Sequence, residues 1–184
     1  MPLSEPAPRA PMHNRTIACC GFRREDGLWD IEGRLLDVRN YVTKTPWREV
    51  APGNPVHEML ARLTITGTFE VVAVECETNS SPFQSCAAII GNFQRLVGER
   101  IGPGWNRRVK QLVGGVEGCA HHVELLCLLG TVAFQTVGPA LAQENTAATS
   151  LSHPGFVLNT CHVWDENGEM VRNLFPKDNL PKSA

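Results

Sequence analysis

The stretch GCAHHVELLCLLGTVAFQTV, residues 118–137, decides the fold of this 184-residue chain. Its interior from Leu125 to Phe134 is apolar on nearly every side, whereas a helix on a protein surface keeps a polar face at a period of 3.6 residues. A helix that is apolar all round must be covered by other elements. The stretch therefore predicts a helix from about Gly118 to Val137 that is the central, most buried helix of the domain.

Turn signals on the N-terminal side predict antiparallel strands around this helix. Asp26-Gly27 suits the left-handed backbone of a type I′ turn, and it lies within a β-rich segment from Thr16 to Arg39. Such a turn fixes which residues lie side by side in the two strands. The expected neighbours on the first hairpin are Arg23 with Asp30, Gly21 with Glu32, and Arg24 with Trp29.

A second hairpin is predicted from about His57 to Thr78, around Thr66-Gly67-Thr68. Apolar residues occupy every second position of its first strand, which indicates one buried face. These residues are Met59, Ala61, Leu63 and Ile65. His57 lies in the same alternation and is expected on the buried face, whereas Arg62 and Glu75 point the other way.

The remaining elements complete an α+β fold. A third hairpin is predicted from Phe156–Trp164 and Glu169–Leu174 around Asn167-Gly168. Two more helices are predicted, Pro82–Val97 with Ser81 as its N-cap residue, and Trp105–Val113. Together the elements predict an antiparallel sheet built from three β-hairpins and packed against three helices.

The chain is predicted to form one domain. Four prolines before residue 13 predict a disordered, proline-rich arm over residues 1–13, followed by a single α+β domain over residues 14–176 and a flexible tail over residues 177–184. Two connecting loops are predicted within the domain, Tyr41–Pro55, which is too rich in proline for a central strand, and Gln143–Ser152.

Composition and charge exclude several classes of partner. With 17 basic and 19 acidic residues the net charge is -2, so we expect no nucleic-acid partner. We also expect no membrane partner, because no apolar run approaches the ~20 residues that span a bilayer and the first residues lack the pattern of a signal peptide. Seven cysteines are an odd number, which predicts reduced thiols and a cytoplasmic location.

Candidate chemistry is densest at the start of the central helix. Cys119 in the first helical turn would lie near the partial positive charge of unpaired N–H groups, which favours a nucleophilic or metal-binding thiolate. The alternative is a small, buried, inert cysteine. His121 begins a stripe that reaches Gln135 and faces the sheet, whereas His122 points about 100° away and is expected at the surface.

Acid/base chemistry is predicted for His57 and His121, because they lie on elements that should pack face to face. Arg24 and Asp26 of the first hairpin are expected near them, and Arg24 would stabilise a developing oxyanion. Cys119 joins this catalytic set, and the predicted substrate-binding residues are Arg23, Trp29, Glu75 and Gln135. The alternatives are cross-strand ion pairs for the charged residues and a hydrogen-bonded core histidine for His57.

No metal is expected in the leading interpretation, since the chain has no C-x-x-C pair. If a metal is bound, the expected ligands are Cys86, Cys119 and His121. No cofactor is expected either. The chain lacks a phosphate loop of the G-x-x-x-x-G-K-[ST] type, a G-x-S-x-G elbow, an H-E-x-x-H motif and a dinucleotide fingerprint after a strand.

Taken together, the motifs resemble those of a bacterial family with a domain of unknown function. The resemblance covers about residues 15–175 and rests on GFRRxDGxxDxE from Gly21, His57-x-Met59, Pro82 with Cys86, Leu96-Val97-Gly98, Gly104-Trp105, Gly118-Cys119-x-His121, and Cys161. It implies a shared fold and brings no established activity. It nominates as motif positions Arg23, Arg24, Asp26, His57, Cys86, Cys119 and His121. Such proteins resemble accessory or catabolic enzymes of bacteria that degrade aromatic compounds.

The sequence thus predicts an enzyme, a lyase or a hydrolase, for a small oxygenated substrate, with aromatic compounds among those expected. It would act by acid/base chemistry without a nucleotide, through elimination, C–C cleavage or hydrolysis. The alternative is a noncatalytic Cys/His scaffold that binds metal or handles sulfur. The expected partner is the small-molecule substrate, and a homodimer is compatible with the antiparallel sheet edges.

Overall fold

Four antiparallel strands form the main sheet, in the order β1-β2-β5-β6. The computed structural model describes residues 3–144 and 158–174. The strands are β1 (His13–Arg23), β2 (Trp29–Arg39), β3 (Thr43–Lys44), β4 (Glu49–Val50), β5 (Pro55–Ile65) and β6 (Val71–Ser80), and β3 pairs with β4 in a second, small sheet. The helices are α1 (Trp105–Val113), α2 (Ala120–Gln143) and α3 (Glu169–Leu174), with 3₁₀ helices at Gln84–Leu96, Gly115–Glu117 and His162–Trp164.

Helix α2 packs across β1, β2 and β5, so the prediction of an α+β fold with a central helix is confirmed. The side chains of α2 that face the core are fully buried: Leu125, Leu126, Leu129, Ala133 and Val137. The helix approaches β2 closely at Gly33, where a Cβ atom would lie 2.7 Å from Leu125 Cδ1. The absence of a side chain at Gly33 therefore leaves room for Leu125 between helix and sheet.

Helix α2 is also long and apolar enough, by length and composition alone, to cross a membrane. The relevant segment is Ala120–Leu141, with 44% of its most apolar window buried inside the protein. The sequence expectation that no apolar segment reaches this length was therefore too strict. A core helix has the same composition, and α2 packs on the sheet.

The turn between β1 and β2 differs from the prediction by one residue. Arg24 N donates to Leu28 O at 2.9 Å, and Gly27 has a φ of +85°, so the loop has three residues instead of two. A three-residue loop of this kind ends in a left-handed residue. The register is therefore shifted by one, and the pairs are Arg23 with Trp29, Phe22 with Asp30, Gly21 with Ile31 and Cys20 with Glu32.

The second predicted hairpin is confirmed as β5 and β6. Its loop closes between Thr66 and Glu70, with Phe69 in the left-handed region at a φ of +67°. The four alternating apolar residues of β5 are all buried, and Arg62 pairs with Glu75 across the strands. The period-two pattern therefore gave the correct faces of this hairpin.

Two predicted segments between strands and helices have a different local structure. The segment Gln84–Leu96 is a 3₁₀ helix, not an α-helix, and Ser81 Oγ donates to Phe83 O instead of accepting a helix N–H. The prediction of Ser81 as the N-cap residue is therefore wrong. The predicted loop Tyr41–Pro55 contains the small hairpin β3–β4, which Thr45 closes through its backbone and side-chain bonds with Arg48.

The third predicted hairpin is wrong in its second strand, because Glu169–Leu174 is helix α3. Asp165 accepts the Asn167 N–H on its side chain and the Gly168 N–H on its carbonyl, which starts the helix, and Glu169 suits a first helical turn. The predicted first strand overlaps the 3₁₀ helix His162–Trp164, and Phe156 lies outside the described residues. Residues 145–152 of the second predicted loop and the predicted tail 177–184 also lie outside them.

Candidate functional site

The antiparallel register brings three polar residues into one row across three strands. Arg15 of β1 pairs with Asp37 of β2, and Asp37 pairs with His57 of β5. Asp37 follows Leu35 on the face toward α2, and its side chain is only 3% exposed. A carboxylate at such a position requires partners, because burial of an unpaired charge is costly.

Asp37 has a partner on every side. Arg15 donates from Nε to Oδ1 and from Nη2 to Oδ2, both at 2.8 Å. His13 Nε2 lies 3.0 Å from Oδ1, and His57 Nδ1 lies 3.1 Å from Oδ2. The third guanidinium nitrogen of Arg15 donates to Glu124 of α2, so this cation is shared between two carboxylates.

These contacts keep Asp37 ionised. Burial alone would raise the pKa of this carboxyl, but the hydrogen bonds and charge of Arg15, with His13, lower it to about 2. An ionised carboxylate can only accept hydrogen bonds, so His57 must present Nδ1–H to it. The other ring nitrogen, Nε2, then carries the lone pair that can take a proton.

His121 reaches the same point from the first turn of α2. Its ring stacks on that of His57, with ring centroids 3.9 Å apart and a tilt of 30°. His121 Nε2 lies 3.6 Å from Asp37 Oδ2, and Nδ1 lies 3.6 Å from Cys119 Sγ. The structure therefore brings His57 and His121 into contact, with Cys119 beside them.

Both stacked imidazoles are neutral near pH 7. Burial, together with the positive charge that His121 would carry, lowers the pKa of His57 to about 4, although Asp37 opposes the shift. Burial and the Arg15 charge also lower the pKa of His121. Two neutral rings can stack closely, and each keeps one lone pair and one N–H.

The predictions for His122 and Gln135 are wrong. His122 is completely buried, with Nε2 3.2 Å from Glu77 O and its ring against Phe93, because the 3₁₀ helix Gln84–Leu96 covers the side of α2 that the prediction left open. Gln135 is exposed. Gln135 lies fourteen positions after His121 on α2, which is ~21 Å along the helix axis and a rotation about 40° short of four full turns. It therefore does not lie on the stripe of α2 that faces the sheet.

The residues of the first turn do not join the site. Arg24 binds Asp26 at 2.6 Å and Asp30 at 3.4 Å at the opposite end of β2. Trp29 and Asp37 are eight residues apart, which places the two ends about 26 Å from each other. Arg23 bonds to Glu144 and lies over the ring of the buried Trp29, so neither of these two faces the histidines.

Glu75 lies on the other face of the sheet. There Arg62 bonds to Glu32 at 2.7 Å and to Glu75 at 3.1 Å, inside an open groove of about 660 Å³ that includes Phe22. Its lining contains no histidine, and its ion pairs satisfy each other. We therefore place the candidate chemistry at Asp37 and not in this groove.

The possible metal ligands differ from the predicted set. Among the described residues, the ligand atoms of Asp37, His57 and His121 all lie within 4.8 Å of one another. Cys86, half-buried near the start of the 3₁₀ helix Gln84–Leu96, is not in that group. Cys119 contacts Nδ1 of His121, whereas Nε2 of the same ring faces Asp37.

Sequence reasoning missed Asp37, Arg15 and His13. A signal for Asp37 was present, since it continues the alternation of Ile31, Gly33 and Leu35 and is the first charged residue in that series. A charged residue at a core-facing strand position indicates a paired or functional group. Arg15 and His13 could be found only from the register, which the three-residue turn sets.

Comparison with known proteins gives a family and no activity. A family model described as "Protein of unknown function (DUF2889)" matches residues 13–135. The matched part contains the four residues whose side chains are described above as lying against Asp37, which are His13, Arg15, His57 and His121. No curated protein and no solved structure matches the chain.

Proposed function

The chain belongs to the DUF2889 family, whose description names no activity, and from the geometry at Asp37 we propose that it is an enzyme that transfers a proton on a small oxygenated substrate. The observation that carries the proposal is the contact of a buried, ionised aspartate with one imidazole, on which a second imidazole is stacked. A histidine oriented by a carboxylate is a common general base.

In the proposed mechanism His57 is the base. Asp37 accepts Nδ1–H, which leaves Nε2 free to take a proton from a substrate hydroxyl, from a carbon acid or from water. The imidazolium that forms is stabilised by the Asp37 carboxylate 3.1 Å away. The same ring then returns the proton to the leaving group, so the base is restored.

His121 would act as a neutral hydrogen-bond donor to the oxygen on which negative charge develops. It replaces Arg24 in this role, since Arg24 lies at the other end of the sheet and the Arg15 guanidinium is bonded to Asp37 and Glu124. Cys119 would set the orientation of the His121 ring through Nδ1. A thiol nucleophile assisted by His121 is the alternative role for Cys119.

Among the side chains described around Asp37, no cation is left unpaired. This favours neutral or weakly acidic substrates. Elimination, C–C cleavage and hydrolysis all begin with a proton transfer that His57 can perform, so a lyase or a hydrolase is proposed, and aromatic compounds are included among the substrates.

A cytoplasmic location is proposed as well, since all seven cysteines are free thiols. A homodimer is proposed through the exposed edge strand β1.

The noncatalytic alternative with Cys86, Cys119 and His121 as metal ligands has less support. The thiol of Cys119 and the carboxylate of Asp37 contact different nitrogens of His121, on different sides of its ring. Cys86 is not part of the cluster of ligand atoms found in the described chain. A metal at this site would therefore use other donors.

The test begins with ligands of the native protein, because any compound that binds the folded state raises its melting temperature. Small hydroxy, keto, ester and methoxy compounds, aromatic and aliphatic, are screened by thermal shift against chelator-treated protein. Compounds that stabilise it are then incubated with the protein, and turnover is followed by NMR in heavy water.

We expect His57→Gln to lower kcat/KM by about 10²–10⁴-fold, the usual contribution of a general base. His121→Gln should lower kcat more than it changes KM. The matched control is His162→Gln, which removes an exposed histidine far along the chain. Folded His57→Gln and His121→Gln proteins that keep full turnover would exclude the proposed mechanism.

A further inference from the structure

We infer that Asp37, His57 and His121 bind one divalent first-row transition-metal ion, such as Zn²⁺ or Co²⁺. The ligand atoms of these three side chains lie within 4.8 Å of one another, on three different elements. Such ions bind readily to two imidazole nitrogens and one carboxylate oxygen, whereas Mg²⁺ and Ca²⁺ take mainly oxygen ligands.

The geometry requires little movement. His57 Nδ1 and His121 Nε2 lie 3.1 and 3.6 Å from the same oxygen, Asp37 Oδ2. An ion bound at about 2.0–2.2 Å from each donor fits among three atoms with such separations. The ion replaces the hydrogen bond between His57 and Asp37, and the single proton of the neutral His57 ring moves to Nε2.

The neighbouring side chains are arranged as outer partners of a metal site. Cys119 contacts the ring nitrogen of His121 that faces away from Asp37, which fixes the orientation of that ring. His13 binds Oδ1 of Asp37, whereas Oδ2 faces the two other histidines and also accepts from Arg15 Nη2. Outer partners of this kind hold ligands in place before the ion arrives.

The site also has access and a suitable charge. The side chains of His57 and His121 are 15% and 22% exposed, so an ion can enter, and three protein ligands leave a coordination position open. Arg15 is the cation beside the site, and Glu124 shares it with Asp37. The two carboxylates and one guanidinium therefore leave one net negative charge to attract the ion.

This proposal rests on the site of the proposed function and describes a second state of it. With the ion on Nδ1, His57 carries its proton on Nε2 and can no longer act as the base. Metal and base function are therefore mutually exclusive at His57, and added Zn²⁺ should inhibit the proton transfer of the metal-free protein.

The experiment is a titration of chelator-treated full-length protein without substrate. Zn²⁺ is followed by calorimetry, and Co²⁺ by its visible absorption, which reports the number and geometry of the ligands. We expect one ion per chain, and loss of affinity in Asp37→Asn, His57→Gln and His121→Gln that exceeds the about 10–100-fold cost of losing an outer partner. Cys86→Ser and His162→Gln are controls with unchanged affinity.

Three results would overturn the assignment. The first is no stoichiometric binding of either ion by the folded wild-type protein. The second is unchanged binding in a folded His121→Gln protein. Because His121 is half-buried at the start of a helix, we expect this substitution to be compatible with folding. The third is a thiolate-to-cobalt absorption band that disappears in Cys119→Ser, which would make the thiol a ligand. None of these results changes turnover measured in chelator, so failure of this proposal is distinct from failure of the proposed function.

Discussion

The first hairpin carries an arginine–aspartate pair at each end. At the turn, Arg24 and Asp26 bond at 2.6 Å, and their side chains are 40% and 50% exposed. At the other end Arg15 and Asp37 form two bonds of 2.8 Å, and the Asp37 side chain is 3% exposed. The residue types are the same, but of these two pairs only Arg15–Asp37 bonds to histidines and to a side chain of the central helix, Glu124.

The two ends differ in what can solvate the aspartate charge when its ion pair with arginine opens. Water solvates Asp26 at once, so the pair with Arg24 contributes little to stability and leaves its neighbours unaffected. Water does not reach Asp37 in the same way, so its charge must be matched by fixed donors. Those fixed donors include an imidazole, and the buried pair thereby sets the tautomer of a histidine.

The largest difference is expected between two variants that each remove one of the two aspartate charges. Asp37→Asn removes the negative charge and one of the two acceptor oxygens that Arg15, His13 and His57 share, and we expect a loss of about 3 kcal/mol in the free energy of unfolding. Asp26→Asn should leave the urea midpoint unchanged. Equal midpoints for the two variants would show that the two ends of the hairpin are equivalent.

The next effect is a loss of stability in mild acid. The pKa of His57 is about 4 in the folded protein and about 6.5 when unfolded, so the unfolded chain binds the extra proton between these values. Stability is therefore complete above pH 6.5 and decreases as the pH falls toward 4, by at most about 3 kcal/mol from this histidine. The folded pKa of Asp37 is about 2, so its contribution is lost only below 3.8.

Urea unfolding of wild type and His57→Gln between pH 7 and 4.5 checks this sign. His121 and His122 also have pKa values lowered by burial, so the variant should keep part of the slope. The turn contributes nothing in this interval, because the pKa of Asp26 is lowered from 3.8. Stability that stays constant from pH 7 to 4.5 would contradict neutral, buried histidines.

Local patterns were enough to predict most of the fold. The alternation in β5 and the apolar stretch of α2 each depend on a single element packing against a core, and both predictions are confirmed. The C-terminal hairpin failed because Asn167-Gly168 suits a helix start as well as a turn. Met170, Val171 and Leu174 fit a helical period, and Val171 is buried.

The site was predicted only in part, because it depends on register. His57 and His121 could be found from their own elements, since each lies on a core-facing position. The neighbours of Asp37 on β1 depend on the number of residues in the first turn, and one residue more than predicted exchanges every partner between β1 and β2. Arg15 becomes a member of the site through that one residue.

Two glycine substitutions compare the middle of the hairpin with its turn. In Gly33→Ala the new Cβ would lie 2.7 Å from Leu125 Cδ1 and 3.0 Å from Leu129 Cδ2, so these side chains, or α2 with them, must shift, at a cost of about 1–3 kcal/mol. Gly27→Ala meets no atom within 4 Å, and its left-handed φ of +85° costs about 1–2 kcal/mol. Urea unfolding measures both costs.

Only Gly33→Ala should change the site, because α2 carries His121. NMR of the imidazole protons should show altered shifts for His57 and His121 in Gly33→Ala and wild-type shifts in Gly27→Ala. Identical histidine spectra for both variants would mean that the helix position is not set at Gly33.

Gln135→Ala is expected to have the smallest effect, and finding no effect would itself support the proposed location of the site. Gln135 is exposed, about four turns along α2 from His121, so the free energy of unfolding should change by less than about 0.5 kcal/mol. Turnover of any compound found in the ligand screen should be unchanged, whereas His121→Gln should abolish most of it. Reduced turnover in Gln135→Ala would mean that the substrate extends along α2 beyond the Asp37 end, and that the chemistry is not confined to the row Arg15, Asp37 and His57.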